Sequence, residues 1–203
     1  MGAAQFDELA KSMKVTAGSR FNAAKYLETH DRNLTWVTAF TSVYIITITI
    51  IPYFWKLPTR VTDNLNLFTV ILSIVILVSS LLQNSRRDAV NAEQHHRSAL
   101  EINELRRELL VHGNSITSEN LIVFGAKYSA VLQKYSINHS NLDFEQFMAD
   151  RPEQFPQIHF FSRYRIRLLL VLRDNFAAII LVIITACFGW MVFFYAMPLR
   201  LTV

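Results

Sequence analysis

The chain has 203 residues, 52% of them apolar and only 18% charged, with a mean hydropathy of +0.24. That is too apolar for an ordinary soluble domain of this length, while 5 glycines and 5 prolines are too few for a fibrous or low-complexity chain. One cysteine excludes an intramolecular disulfide framework and a cysteine-only zinc site, and a net charge of +4 matters less than where the charges sit.

Residues 4 to 32 read as a helix with a break near Gly18, after which Ser19 caps a second half. Phe21, Ala24, Tyr26 and Leu27 then fall on one side. Two readings stand for this segment: a solvated lead-in to the membrane, or an interfacial helix touching lipid or a partner. It carries no apolar core of the signal-peptide kind, and Phe6 stands where an N-myristoylation signal has Ser or Thr.

Three stretches are long enough to cross a bilayer, which takes roughly 20 apolar residues. Asn33 to Trp55 is 23 residues without a charge, Asn64 to Ser85 is 22, and Asn175 to Pro198 is 24. A chain of this size cannot bury three such helices on all sides. Trp36, Tyr53, Phe54 and Trp55 flank the first span, and Trp190 and Tyr195 lie toward the far end of the third, as interfacial aromatics do. Lys11, Lys14, Arg20, Lys25 and Arg32 precede span one, and Arg86, Arg87, Arg97, Arg106 and Arg107 follow span two. Arg163, Arg165, Arg167 and Arg173 precede span three, whereas the 56–66 loop has only Lys56 and Arg60 and the tail only Arg200. The positive-inside rule therefore puts the N-terminus and central region in the cytoplasm.

Beyond span two the helical pattern continues through Ala92, Ala99, Ile102, Leu105 and Leu109 to a stop at His112-Gly113-Asn114. One helix running unbroken from about Asn64 to Val111 would be ~70 Å long. Glu101, Glu104 and Glu108 alternate with Arg97, Arg106 and Arg107, offering pairs along that stalk. Thr117 or Ser118 caps a helix to about Tyr135, with Leu121, Phe124, Tyr128, Val131 and Leu132 on its apolar face. A short helix follows Ser140, residues 151–156 form a linker, and Ile158 to Leu172 reads either as an interfacial segment whose arginines reach lipid phosphates or as a soluble helix packed on the stalk.

The expected fold is all-α, a helical membrane protein with two or three transmembrane helices and a helical cytoplasmic region. Its parts are an N-terminal cytoplasmic or interfacial helix over 1–34, a two-helix transmembrane hairpin over 35–85, a cytoplasmic helical region over 86–157, the interfacial segment over 158–174, and a third transmembrane helix with a short outer tail over 175–203.

Catalytic patterns are missing. No phosphate-binding glycine loop, H-E-x-x-H or G-x-S-x-G occurs. His95 and His96 point about 100° apart on a helix and, with Glu93, make a poor metal set. Cys187, amid apolar neighbours in span three, stays a protonated thiol. Neither an enzyme nor any cofactor is expected, leaving transport, assembly or signalling.

The hydroxyls of the spans fall in stripes. Thr35, Thr38, Ser42 and Thr49 in span one lie within about 60°, as do Asn66, Thr69, Ser73 and Ser80 in span two. Thr41, Thr47 and Ser79 lie off these stripes, and Ala178, Thr185, Gly189 and Ala196 give span three a small-residue face. The stripes serve helix packing, or they line a water path in an oligomer. They carry no charge, which argues against a coupled transporter. Arg86-Arg87 and Arg106-Arg107 are the candidate contacts for a partner, nucleic acid included.

The run Ser19-Arg20-Phe21-Asn22-Ala23-Ala24-Lys25-Tyr26-Leu27, the Trp36-containing span, the short loop, and Leu67 to Leu82 leading to Glu101-Ile102, Leu105 and Glu108-Leu109 resemble the SLATT family (SMODS and SLOG-associating two-transmembrane effector domains) over about residues 17 to 135. The branch it is most similar to is the one associated with reverse transcriptases, retrons included; the third span goes beyond the family's two-span pattern. The resemblance implies a toxin-like effector of bacterial anti-phage defence. Such an effector sits in the inner membrane and is restrained by a sensor, either a retron reverse transcriptase with its RNA/DNA or a nucleotide-signalling module. Once triggered it assembles and permeabilises the membrane, causing abortive infection. Membrane lipid, further copies of the chain and that sensor complex are the partners implied. The alternative is a non-conducting membrane anchor for a cytoplasmic enzyme or nucleoprotein.

Overall fold

The computed structural model describes residues 2–113 and 116–196. Asn114 of the stop signal, the end of the third span at Pro198, and Arg200 lie outside the described residues, as do the side chains of Cys187 and Tyr195. The described residues form six helices: α1 (Gly2–Phe54), α2 (Thr59–Arg86), α3 (Asp88–His112), α4 (Ser118–Lys134), α5 (Asn141–Ala149) and α6 (Phe160–Ala196). No strand occurs among the described residues. Three helices, α1, α2 and α6, contain stretches long and apolar enough to cross a membrane.

The chain divides into two compact units, one made of Met1–Thr29 and Asp88–Asp174, the other of His30–Arg87 and Asn175–Val203. In the first, Phe6, Ala10, Met13 and Ala17 of α1 are buried with Ile102, Leu105 and Leu109 of α3 and Phe124 of α4. Leu121, Tyr128, Val131 and Leu132 pack against that core from α4, the face expected of them. Each large side chain so buried contributes about 1.5–3 kcal/mol.

The expected break near Gly18 does not occur: α1 runs through it unbroken. Gly18 instead permits close packing, since a Cβ there would lie 1.9 Å from Phe147 Cε2 of α5. Ser19 is fully buried and caps nothing.

The helix expected to run from Asn64 to Val111 is, however, broken. Arg87 takes the left-handed conformation (φ 53°, ψ 38°) and closes α2, and α3 begins at Asp88. Arg87 is the one non-glycine with positive φ among the described residues, a conformation that costs an arginine on the order of 1 kcal/mol. Asp88 then places a carboxylate in the first turn of α3, where the helix dipole favours it. Two glutamates of α3 pair outward to α4, Glu101 with Lys134 (2.6 Å) and Glu108 with Lys127 (4.0 Å), while Glu93 pairs along the helix with Arg97 (2.5 Å).

Helix starts follow their sequence signals. Thr117 Oγ1 accepts from the Asn120 amide, and Ser140 with Asp143 forms a reciprocal capping box on α5. In the second unit, Ile48 of α1 and Leu65 of α2 are buried with Tyr44, Leu57, Val61 and Phe68 packed around them. At the other end of the hairpin, Gln83 Nε2 donates to the Asp31 carboxylate (3.0 Å) and to Thr35 Oγ1 (3.2 Å). Most large apolar side chains of this unit face outward, Trp36, Phe40, Leu67, Leu77 and Phe176 among them, as lipid-facing helices require.

The Gly18 contact yields a direct test. Gly18→Ala is expected to lower the stability of the protein by about 1–3 kcal/mol through overpacking, and Phe147→Leu in the same chain is expected to restore part of it. Thermal unfolding in detergent micelles reads both; an unchanged midpoint for the single variant would show that the two helices do not meet as described.

Candidate functional site: a cleft between the spans and a buried polar cluster

Five of the seven stripe hydroxyls donate to carbonyls of their own helices. Thr35 Oγ1 donates to the Asp31 carbonyl (3.0 Å), Ser42 Oγ to Thr38 (2.9 Å) and Thr49 Oγ1 to Ile45 (2.9 Å). In α2, Thr69 Oγ1 donates to Asn66 (2.8 Å) and Ser73 Oγ to Thr69 (2.7 Å). Thr41 and Thr47, off the stripes, do the same to Val37 (2.7 Å) and Val43 (2.9 Å). Such back-bonds hold a polar side chain in lipid without a partner helix or water. Of the stripe residues, Thr69 is buried, Thr38, Ser42 and Ser80 are half-buried, and Thr35, Thr49, Asn66 and Ser73 are exposed.

A cleft of about 260 Å³ lies among α1, α2 and α6 within the second unit. Of the eight stripe residues only Thr38 lines it; Thr41 and Ser79 join from off the stripes. Leu72, Val75 and Ile76 of α2 and Ile180, Leu181 and Ile184 of α6 supply most of its wall. His30, Gln83 and Arg86 line it as well. The third span is thus a wall of the cleft, a role that a two-span reading leaves out. Thr41 is 4% exposed: position around one helix axis does not show which hydroxyl the neighbouring helices bury.

The four candidate arginines have different surroundings. Arg86 lines the cleft, Arg87 is the exposed left-handed cap, and Arg106 Nε donates to the Ala10 carbonyl (3.2 Å), which leaves Arg107 exposed.

The first unit holds a polar cluster that the sequence reading did not single out. Arg20 is 4% exposed; one terminal guanidinium nitrogen donates to Ser98 Oγ and the other to the Ile137 carbonyl (3.2 Å). Among the described residues it has no carboxylate partner, its Nε has no hydrogen-bond partner, and burial lowers its pKa. His95 is 5% exposed, and burial, with the Arg20 charge next in weight, pushes its pKa down to about 4. Asp143 raises that value slightly and His139 lowers it. His96, by contrast, is exposed with its ring edge-on to Phe21.

Asp143 ties α5 to α6. Its carboxylate accepts from Arg173 (2.8 Å) and from the Ser140 hydroxyl (2.7 Å), and its carbonyl accepts from Asn22 Nδ2 (3.1 Å). The Arg173 guanidinium also lies 3.7 Å from the centre of the Tyr26 ring. A signal for Arg20 existed in the sequence: Met13, Ala17, Arg20 and Ala24 follow 4-3-4 spacing, which puts an arginine in a row of core residues.

Along the first part of α6 the faces separate cleanly. Ile166 is 3% exposed, whereas Phe160, Phe161 and Tyr164 are 77%, 83% and 64% exposed. Leu168, Val171 and Leu172 are exposed on the same side, with Arg165 and Arg167 exposed at its edges.

A family model described as SMODS and SLOG-associating 2TM effector domain family 5 matches residues 3–196. The chain belongs to this family. The match extends well past residues 17 to 135, and the third span falls inside it, so α6 is part of the family's domain. No curated protein and no solved structure matches the chain. This SLATT chain is therefore an all-helical member of a family of membrane effector domains.

The polar cluster predicts an acid-sensitive unit. A His95 pKa of about 4 against 6.5 for a free imidazole means that the unfolded chain takes up a proton the folded protein refuses. Stability is then complete above about pH 6.5 and falls as pH drops toward 4, by up to about 3 kcal/mol. His95→Asn is expected to flatten this profile, checked by unfolding midpoints in micelles at pH 7.5 and 4.5; parallel profiles for the two proteins would contradict the placement of His95.

Proposed function

We propose that this SLATT protein is a non-enzymatic membrane effector of bacterial anti-phage defence, which permeabilises the inner membrane when a sensor releases it. The family match over nearly the whole chain, together with three apolar helices, is the observation that carries this reading. The distribution of Lys and Arg supports a cytoplasmic N-terminus and central region. In that orientation the aromatic and arginine-edged face of Phe160 to Leu172 suits the inner surface of the bilayer, rings at the headgroup level and guanidinium groups toward phosphates.

An effector held silent needs two states whose balance a partner shifts. The buried Asp143–Arg173 pair beside Arg20 and His95 is a suitable element, because parting it leaves a buried charge without its partner, which is costly. The sensor is a reverse transcriptase–RNA/DNA complex of the retron kind or a cyclic-nucleotide signal, and permeabilisation requires homo-oligomers, since three helices enclose no channel alone. The self-satisfied hydroxyls favour a second reading, a non-conducting membrane anchor for a cytoplasmic enzyme or nucleoprotein, because they place no demand for water within the spans.

Induction of the chain in bacteria, alone and with its neighbouring genes triggered, separates these. A potential-sensitive dye is expected to report depolarisation, with growth arrest; intact potential in every condition would leave the anchor reading. A chain with Ser42→Leu and Ser73→Leu is expected to lose at least tenfold in leakage rate if the stripes face water, and to leak normally if they serve packing alone.

A further inference from the structure

From the cleft among α1, α2 and α6 we infer a binding site for one anionic phospholipid, with its phosphate at Arg86 and an acyl chain between the spans. Every lining residue belongs to the second unit, so the site is complete within it. The depth and the polarity of the cleft both fit a lipid. Along α1 the lining runs from His30 to Thr41, along α2 from Arg86 to Leu72, and along α6 from Phe176 to Ile184. At 1.5 Å per residue these runs are about 12–21 Å. One leaflet of hydrocarbon is about 15 Å, half of a 30 Å core. The cleft therefore has the depth of one leaflet and not of a bilayer, which suits a lipid lying in place and not a path through.

The polarity runs the same way along α1 and α2, and the α6 lining is apolar throughout. The imidazole, amide and guanidinium of His30, Gln83 and Arg86 stand at the end where span one begins and span two finishes. The deep end is Leu72, Val75 and Ile76 with Ile180, Leu181 and Ile184, and the hydroxyl buried there, Thr41, donates to Val37 of its own helix. Nothing at that end asks for water or a polar ligand, and an alkyl chain meets it. At the polar end, a guanidinium presents a planar set of donors that fits a phosphodiester, and basic pockets between membrane helices hold anionic headgroups. Asp31, which accepts from Gln83, stands at the same end, so the headgroup that fits best sets its phosphate against Arg86 and a hydroxyl toward Asp31. Phosphatidylglycerol has both. The inference uses the spans and not the permeabilising activity proposed above.

Native mass spectrometry of the full chain in detergent, titrated with phosphatidylglycerol, phosphatidylcholine or glycerol phosphate, tests it. One phosphatidylglycerol per chain is expected to be retained at least tenfold more tightly than phosphatidylcholine, and glycerol phosphate is expected not to displace it. Arg86→Gln, at an exposed position, is expected to remove that preference while leaving phosphatidylcholine unchanged. Ala177→Phe, which fills the cleft from α6, is expected to reduce retention of both lipids. Equal retention of the two lipids by the native chain, an unaltered preference in Arg86→Gln, or displacement by glycerol phosphate would each overturn the site. Because binding is read without any leakage, a protein that leaks but shows no preference loses this site and keeps the effector reading; one that shows the preference and never leaks does the reverse.

Discussion

Within hydrocarbon a polar group has no water to turn to, and this constraint shapes the second unit of the protein. A helix satisfies its backbone internally, and Thr41, Ser42 and Ser73 among the span hydroxyls go further by donating to carbonyls one turn back. Little is then left for the helices to exchange with one another beyond van der Waals contact. The Gln83–Asp31–Thr35 group at one end of the hairpin and the Ile48–Leu65 pair with its neighbours are the specific contacts that fix its register. Between these contacts the three helices leave the cleft, and its apolar wall is what hydrocarbon itself would choose.

The first unit is governed by the opposite condition. A three-helix apolar core from α1, α3 and α4 supplies the burial, and beside it sits a set of charged groups taken out of water. Arg20, buried on the row of α1 that also carries Met13, Ala17 and Ala24, finds only a serine hydroxyl and a peptide carbonyl. Asp143 is better served: cap, ion pair and Asn22 all meet it. Replacing such groups by apolar ones of the same shape is often neutral or stabilising in other proteins. Their presence is thus better understood as specifying one arrangement of α1, α3, α5 and the start of α6.

Elements with local causes were legible in the sequence. The three apolar stretches, the caps at Thr117 and Ser140, and the apolar faces of α3 and α4 depend on residues a few positions apart. Gly18 was misread because a glycine suggests a break when only its own neighbours are considered; Phe147, far along the chain, is what requires it. The left-handed Arg87 was missed for a similar reason. Arginine is a good helix former, and no glycine or proline marks the α2–α3 boundary.

The sequence by itself determined that this chain is helical and enters lipid, because hydrophobicity over 20 or so residues and the placement of arginines are sums that need no third dimension. Which side chains meet was decided only by tertiary structure. A helical wheel ranks residues about one axis, whereas burial of Thr41, the walls of the cleft and the Arg20–Ser98 and Asp143–Arg173 contacts arise where separate axes approach, between residues that are distant along the chain.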